Sequence, residues 1–580
     1  MEKIISLNGI DYTFKSNQDV EVNLTLISKE NDVSFYKVAF SWSEKIIPTE
    51  IVMTYNIPCI DMHGTWDPIG RYRQMGWFNT APQTESRLAS GMPLRMVTSK
   101  NGNNKYLVTV SDVKTPLSIS IGATEFAGKG GCKIKFFTLL TSPIDYYEAV
   151  IRIDEREIAF SDAVQEAREW FSDLGYKNSY TPELAKMPMY STWYSYWQHV
   201  SAKPLYTECR QALKAGMKTI IIDDGWQTVN AGKMYGYCGD WKPAYSKFGN
   251  MRSVVDKIHK IGMKVMLWFP VPYIGKWTNI LKRFEGKYLR EREAVNCFVL
   301  DPRYKEVRDY LVELYKEVVV KWDLDGLKLD FIDRFLSNGE ISDGMDYTSV
   351  EDATEELLKT INVELKKINP EILIEYRQPY FGPVVSAYGN MMRVWDCPVD
   401  GGSNRLQTLN LRLVSGTCAV HSDMVIWHAM DSQESVAVQL LDTLFSVPQI
   451  SVRMNELADV HKAVLTNYLS FWNAHRKTLL EGKFEVKDPE NFYTSASSSL
   501  GGETVFLAIA DNVYEMKKTD SVAYVFNTTS KNIILKSKKD KYFYEVFDCA
   551  GNRVSRKTKV KSDIAEIFVP MAGQLVVTRV

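Results

Sequence analysis

The sequence is poor in the residues that hold metals and disulfides. It has seven histidines and eight cysteines in 580 residues. The cysteines, at positions 59, 132, 209, 238, 297, 397, 418 and 549, are scattered, and no two stand at CxxC spacing. That excludes zinc-ribbon and dithiol readings, and free thiols in a reducing cytoplasm are the expectation. Charge of one sign is also lacking. Lys+Arg is 70 and Asp+Glu 71, for a net charge of -1, so neither nucleic acid nor an anionic membrane is an expected partner. No run of about 18 apolar residues is present to span a bilayer. The first residues, Met1 to Ser6, lack a basic region followed by an apolar core, so no secretory leader is expected. There is no Gly-rich phosphate loop, no repeat of solenoid period and no low-complexity linker.

Aromatic residues are plentiful, at 12%, with 14 Trp, ten of them between residues 188 and 480. Many must serve a large core. The rest are candidate platforms for the C–H faces of sugars. The first 140 or so residues alternate in short stretches, such as 20–26 and 117–121, separated by Asn, Gly and Lys turns, and read as β. Residues 160–171 have an apolar face at helical spacing, with Ser161 or Asp162 as the expected cap. From 188 the pattern becomes strand alternating with helix. Strand candidates are 189–194, 218–223, 264–269, 326–331, 372–376, 392–396, 418–423 and 450–454. Helical stretches at 251–261, 304–321, 350–368, 404–413 and 434–445 lie between them. Eight such units over about 290 residues predict a (β/α)8 TIM barrel. Past 481 the pattern is β again. The fold expected is a multidomain α/β protein: an N-terminal β-sandwich with helical linker over 1–180, the barrel over 181–480, and a small antiparallel β domain over 481–580.

In such a barrel, chemistry sits where the strands end. Strand 2 ends on Asp223 and Asp224, strand 4 on Lys328-Leu329-Asp330, strand 6 on Arg393-Val394-Trp395-Asp396, and strand 7 on His421-Ser422-Asp423. A single Asp after a strand is usually a cap or turn residue. Asp330 is different, because it lies between Leu329 and Phe331 inside an apolar strand, where an unpartnered carboxylate is costly. Lys328, two residues earlier, projects to the same side and is expected to keep it ionised. An ionised, positioned carboxylate suits a nucleophile. Two carboxylates flanking one bond are the design for glycoside cleavage, and Asp330 with Asp396 is the candidate pair. His421 and His428 are isolated, so no metal and no cofactor are expected.

The run Ile222-Asp223-Asp224-Gly225-Trp226 resembles the Asp-Asp-Gly-Trp signature of glycoside hydrolase family 36, the α-galactosidases or melibiases and their raffinose-synthase relatives. Gly239-Asp240-Trp241 with Lys247-Phe248, Leu300-Asp301-Pro302 with Val307 to Tyr310, and Gly326-Leu327-Lys328-Leu329-Asp330 are similar to further family motifs in the same order. The resemblance implies that Asp330 is the nucleophile of a retaining α-glycosidase and Asp396 its acid/base. It implies that Asp223, Asp224, Lys328 and Arg393 bind sugar hydroxyls, with Trp193 and Trp226 as walls. Trp66 is the candidate for an N-domain loop reaching the site. Oligosaccharides are the implied substrates, and a homo-oligomer is compatible with the family. Three departures stand out. Strand 3 ends Trp268-Phe269-Pro270-Val271-Pro272 without the family's two acids, and strand 5 ends Glu375-Tyr376-Arg377-Gln378-Pro379-Tyr380 instead of a Gly-rich run. After strand 6 the family's acid falls a few residues further on, which makes Asp400 a competitor of Asp396. Three other readings stay open: transglycosylation, another α-linked sugar, and a non-catalytic carbohydrate-binding protein.

Overall fold

The computed structural model describes residues 1–69, 73–125, 128–539 and 541–580. Two antiparallel sheets, of six and seven strands, form the N-terminal sandwich. The long strand Val33–Ile46 alternates half-buried and buried positions along most of its length, the pattern of a strand with one face on a core. Phe14, Met53, Ile119 and Ile134 from one sheet meet Val38, Phe40, Val108 and Ile151 from the other in a single core. The helix Phe160–Asp173 follows. Its N-cap is Ala159, without a side-chain cap, so Ser161 and Asp162 lie inside the first turn and not at the cap as expected. The apolar face that begins at Phe160, buried with Ala163, Val164 and Ala167, starts the helix earlier.

The barrel strands are β1 Met189–Ser191, β2 Thr219–Ile222, β3 Lys264–Pro270, β4 Gly326–Asp330, β5 Leu373–Arg377, β6 Met391–Arg393, β7 Ala419–His421 and β8 Gln449–Ile450. All successive pairs from β1 to β7 are parallel, and β8 pairs with β1. Single bridges His421–Val447 and Val425–Ile450 close the gap between β7 and β8. The strands are buried nearly end to end, as strands covered on both faces must be.

Around them run α1 Ala202–Lys214, α2 Met251–Ile261, α3 Lys305–Trp322, α4 Val350–Ile368, α5 Pro383–Tyr388, α6 Gly401–Val414, α7 Gln433–Leu441 and α8 Asp459–Glu481. The α2 segment shows why the pattern was legible. Met251, Val254, Val255 and Ile258 form its buried face, Asn250 caps its start by accepting from the Ser253 N–H, and Gly262 ends it at φ 103°. A three-stranded sheet (Tyr273–Gly275, Tyr288–Arg292, Cys297–Leu300) is inserted between β3 and α3.

The C-terminal domain packs a seven-stranded sheet on a three-stranded one. It is mixed, not purely antiparallel as expected. Glu503–Ala508 pairs with Val522–Asn527 in parallel, and so does Val513–Glu515 with Ile533–Lys536. The chain crosses to the other sheet between the members of the first pair, and that crossover makes parallel neighbours. Among the described residues no helix is long and apolar enough to cross a membrane.

Candidate active site

The strand ends converge at the C-terminal mouth of the barrel, with Asp330 at the centre. Its Oδ1 accepts from Arg377 Nε at 3.0 Å, from the Phe331 backbone N–H at 2.9 Å and from the Tyr380 hydroxyl. Its Oδ2 accepts one bond, from Trp268 Nε1 at 2.8 Å. Four donors on one buried side chain is the environment of a carboxylate, which only accepts. Phe331, just beyond, sits at φ 64°, an uncommon conformation for a bulky side chain. Its ring stacks on Tyr273 with 5.0 Å between centroids.

Arg377 is the cation of Asp330. Lys328, expected in that place, instead donates to Asp223 Oδ2 at 2.7 Å. Barrel side chains fill layers drawn from alternate strands. A β4 lysine two residues below the rim therefore reaches across to β2, while Asp330 is served by the neighbouring strand. The β4–β5 register pairs Lys328 with Glu375, and two residues further on Asp330 meets Arg377.

Arg377 also lies 4.0 Å from Asp396 Oδ2, so one guanidinium spans the two candidate carboxylates. Asp396 accepts from Arg393 Nη2 at 2.7 Å. Burial raises the Asp396 pKa, but Arg393, Arg377 and Lys328 outweigh it and hold the group well below the usual carboxylate range. Asp400 is elsewhere. It is exposed and caps α6, accepting from the Ser403 N–H at 2.9 Å and the Ser403 hydroxyl at 2.5 Å.

Arg393 is only 1% exposed. Besides Asp396 it donates to Asp423 and lies 3.9 Å from Glu375, so it is a buried hub of three carboxylates and not a free contact for a sugar hydroxyl. Asp423 also accepts from the Tyr194 hydroxyl at 2.8 Å and the Cys397 N–H at 2.7 Å. Burial raises the pKa of Asp423, opposed by Arg393. Glu375 accepts from Gln449 Nε2 at 2.5 Å, and its pKa is likewise raised by burial, opposed by Lys328 and Arg393.

Just past β2, Asp224 accepts from Gln198 Nε2 at 2.5 Å and from Gln227 Nε2 at 2.7 Å. Burial lifts its pKa to about 6; the Gln227 and Gln198 bonds oppose the rise and the Asp223 charge adds to it. Among the described residues no group of three His, Cys, Asp or Glu side chains could hold a metal ion.

The aromatic expectations divide. Trp193 is half-buried at the mouth and stacks on the exposed Trp197 at 4.3 Å and 21°. Trp226 offers no face to a ligand, because it is fully buried among Trp241, Phe269 and Trp322 and donates to the Trp268 carbonyl. Trp66 does not line the mouth. Its Nε1 donates to Asn410 on α6 at 2.8 Å and to the Tyr493 hydroxyl at 3.1 Å, below the rim. The N-terminal domain reaches the barrel rim through Arg87, which donates to the Asp333 carbonyl at 3.0 Å. Sequence reasoning assigned no role to Trp268, Arg377, Tyr380, Tyr194 or Asp423. For Arg377 the signal was its place on β5 beside Asp330. Tyr380 lies in a loop, and Tyr194 in the single helical turn Trp193–Tyr196, too short for any periodicity to mark it.

Fold and site together define a (β/α)8-barrel protein with a carboxylate-rich mouth. Residues 175–379 match the melibiase family model. The chain is 29% identical over 152 residues to α-galactosidase Mel36A of Lactobacillus acidophilus, and 27% identical over 167 residues to α-galactosidase 2 of Pediococcus pentosaceus. These matches cover 24% and 28% of this chain, and span 19% and 23% of those proteins. The crystal structure of the family 36 α-galactosidase AgaA of Geobacillus stearothermophilus, in complex with stachyose, superposes with a TM-score of 0.65 over 99% of this chain and 84% of that one. At 15% identity that likeness is one of fold.

Proposed function

We propose that the chain is a retaining α-glycosidase acting on terminal α-galactosyl groups of oligosaccharides, with Asp330 as nucleophile and Asp396 as acid/base. The observation that carries the reading is the pair of carboxylates at the mouth spanned by Arg377, one of them held by four donors. Oδ1 of Asp330 is engaged three times and Oδ2 once, so Oδ2 is the oxygen that attacks the anomeric carbon. As the sugar displaces Arg377, Asp396 takes up a proton from solvent and passes it to the leaving oxygen as that bond breaks, and a galactosyl ester on Asp330 results. Asp396, now a base, takes a proton from water, which attacks the same carbon and frees Asp330. Arg377 occupies the space between the carboxylates and gives way to the sugar. In this reading Asp223 and Asp224 accept from adjacent hydroxyls, and an axial O4 brings O4 and O6 to one side, which favours galactose. Structural neighbours crystallised with stachyose and raffinose support this substrate class. All eight cysteines are unpaired, which fits a reducing cytoplasm.

The test is hydrolysis of a panel of p-nitrophenyl glycosides. The α-galactoside should be cleaved at least about tenfold faster than the α-glucoside. Asp330→Ala should abolish turnover, and azide should partly restore it as the β-galactosyl azide. Near-normal kcat in Asp330→Ala would remove the nucleophile assignment. Faster cleavage of the α-glucoside would remove only the galactose preference.

A further inference from the structure

Three backbone carbonyls converge where the loops after β1 and β2 meet. They belong to Gln198, Gly225 and Thr228, and all three accept from the ammonium of Lys247, at 2.5, 2.6 and 2.7 Å. An ammonium has three N–H donors, so this side chain is fully used. The two loops touch at their backbones: Gly225 stands at φ 108°, and a Cβ there would lie 2.5 Å from the Gln198 Cα. At such an approach the Gln198 and Gly225 carbonyls turn their negative ends on one point, and a cation there offsets their repulsion. Lys247 is brought in by the short helix Tyr245–Phe248. Phe248 is buried, and the Ala244 N–H donates to the Trp226 carbonyl at 2.9 Å, which ties the helix to the loop it serves.

What the ammonium joins bears on Asp224. Gln198, on one side of the junction, donates through Nε2 to Asp224 Oδ2 at 2.5 Å. Gly225, on the other side, follows Asp224 in the chain. The junction therefore fixes the carboxylate from both directions. Lys247 also acts by charge. Burial and the neighbouring Asp223 disfavour ionised Asp224. Lys328 of β4 is taken up by Asp223. Tyr235 and Cys238, from the loop after β2, stand near Asp224 and stay neutral, because burial pushes their pKa values up. Lys247 is half-buried; burial lowers its pKa and the Asp224 charge opposes the fall. The same attraction favours ionised Asp224.

We infer that Lys247 is a positioning residue for Asp224, holding Gln198 against it and supplying positive charge that keeps it ready to accept a sugar hydroxyl. This rests on the glycosidase reading above, in which Asp224 contacts the sugar. The experiment measures kcat and KM for p-nitrophenyl α-galactoside from about pH 5 to 8, with thermal melts. It compares the wild type, Lys247→Met, Lys247→Gln, Lys247→Arg, Asp224→Asn and the double variant Lys247→Gln/Asp224→Asn. Without the cation Asp224 ionises at higher pH. The limb over which KM falls should therefore move up by about half a unit or more in Lys247→Met and Lys247→Gln. At pH 7 their KM should rise about tenfold, with kcat within about threefold of the wild type. Lys247→Arg keeps the charge and should leave the limb in place. In the double variant, Lys247→Gln should add less than about twofold to the KM of Asp224→Asn, because the group it acts through is gone. Gln still donates to the carbonyls, so Lys247→Gln decides the matter if Lys247→Met does not fold. An unmoved limb in folded Lys247→Gln, or the same loss with and without Asp224, would overturn the role and leave the glycosidase reading intact. A limb displaced equally in Lys247→Arg would overturn it too. A wild type inert on every glycoside would instead remove the glycosidase reading, and this role with it.

Discussion

Asp396 illustrates how neighbours set the role of a single residue. Arg393 and Arg377 hold it ionised in the resting site, which is the base form. On the proposed mechanism it becomes an acid once a bound sugar has moved Arg377 aside and it has taken a proton from solvent. Asp396→Ala should therefore slow raffinose by about 10²–10⁴-fold and the aryl galactoside, whose leaving group needs little protonation, far less. A uniform loss on both substrates would remove the acid/base assignment from Asp396. Asp400→Ala itself should cost about 0.5–2 kcal/mol of stability as a lost helix cap, seen in thermal melts, without leaving-group dependence. Asp224 gives a pH prediction. Its pKa rises on folding from 3.8 to about 6, so the neutral form is favoured in the folded state. That contribution to stability is full below 3.8 and lost as pH rises through about 6. On the proposed reading binding runs the other way, because a sugar hydroxyl would donate to the ionised form. KM for the aryl galactoside should fall about tenfold between pH 5 and 7, and Asp224→Asn should flatten that limb. A pH-independent KM in the wild type would contradict the role.

Among the elements, the loop after β2 is the one most tightly constrained. Gly225 stands at φ 108°, and a Cβ there would come within 2.5 Å of the Gln198 Cα. Gln198 is also the donor that holds Asp224. Gly225→Ala would push the two segments apart and misplace the carboxylate. We expect kcat/KM on the aryl galactoside to drop by at least about tenfold, with the barrel still folded by circular dichroism. Activity equal to wild type would show that the close approach is not needed for binding. The β4–β5 pairing acts similarly at longer range, since its register decides which cation Asp330 meets.

In the molecule as a whole, Trp66 joins three domains. Its indole N–H reaches the barrel at Asn410 and the C-terminal domain at Tyr493, and its ring lies against Phe160 of the linker helix. Trp66→Ala should cost about 3–5 kcal/mol, the range for deleting a large buried aromatic, and lower the midpoint of thermal unfolding. The kcat of the molecules that remain folded should stay near wild type, because Trp66 does not touch the mouth. A collapse of kcat in stably folded Trp66→Ala would place the residue at the site after all.

Much of this was legible in the sequence. Helices such as Met251–Ile261 and Val350–Ile368 carry their period and their ends in local residue order, and strands buried on both faces read as short apolar runs. Alternation of the two dictates a barrel, and the barrel rule then points to Asp223, Asp224, Asp330 and Asp396 at the strand ends. Which cation serves which carboxylate was not legible. Lys328 lies two residues from Asp330 in the chain yet pairs with Asp223, and Arg377, 47 positions away, takes its place. Nor could composition separate Trp226 in the core from Trp193 at the mouth. Local order determines periodicity, and with it the elements and where they end. Pairing across the barrel depends on register, layer and side-chain reach, which exist only once the sheet has closed.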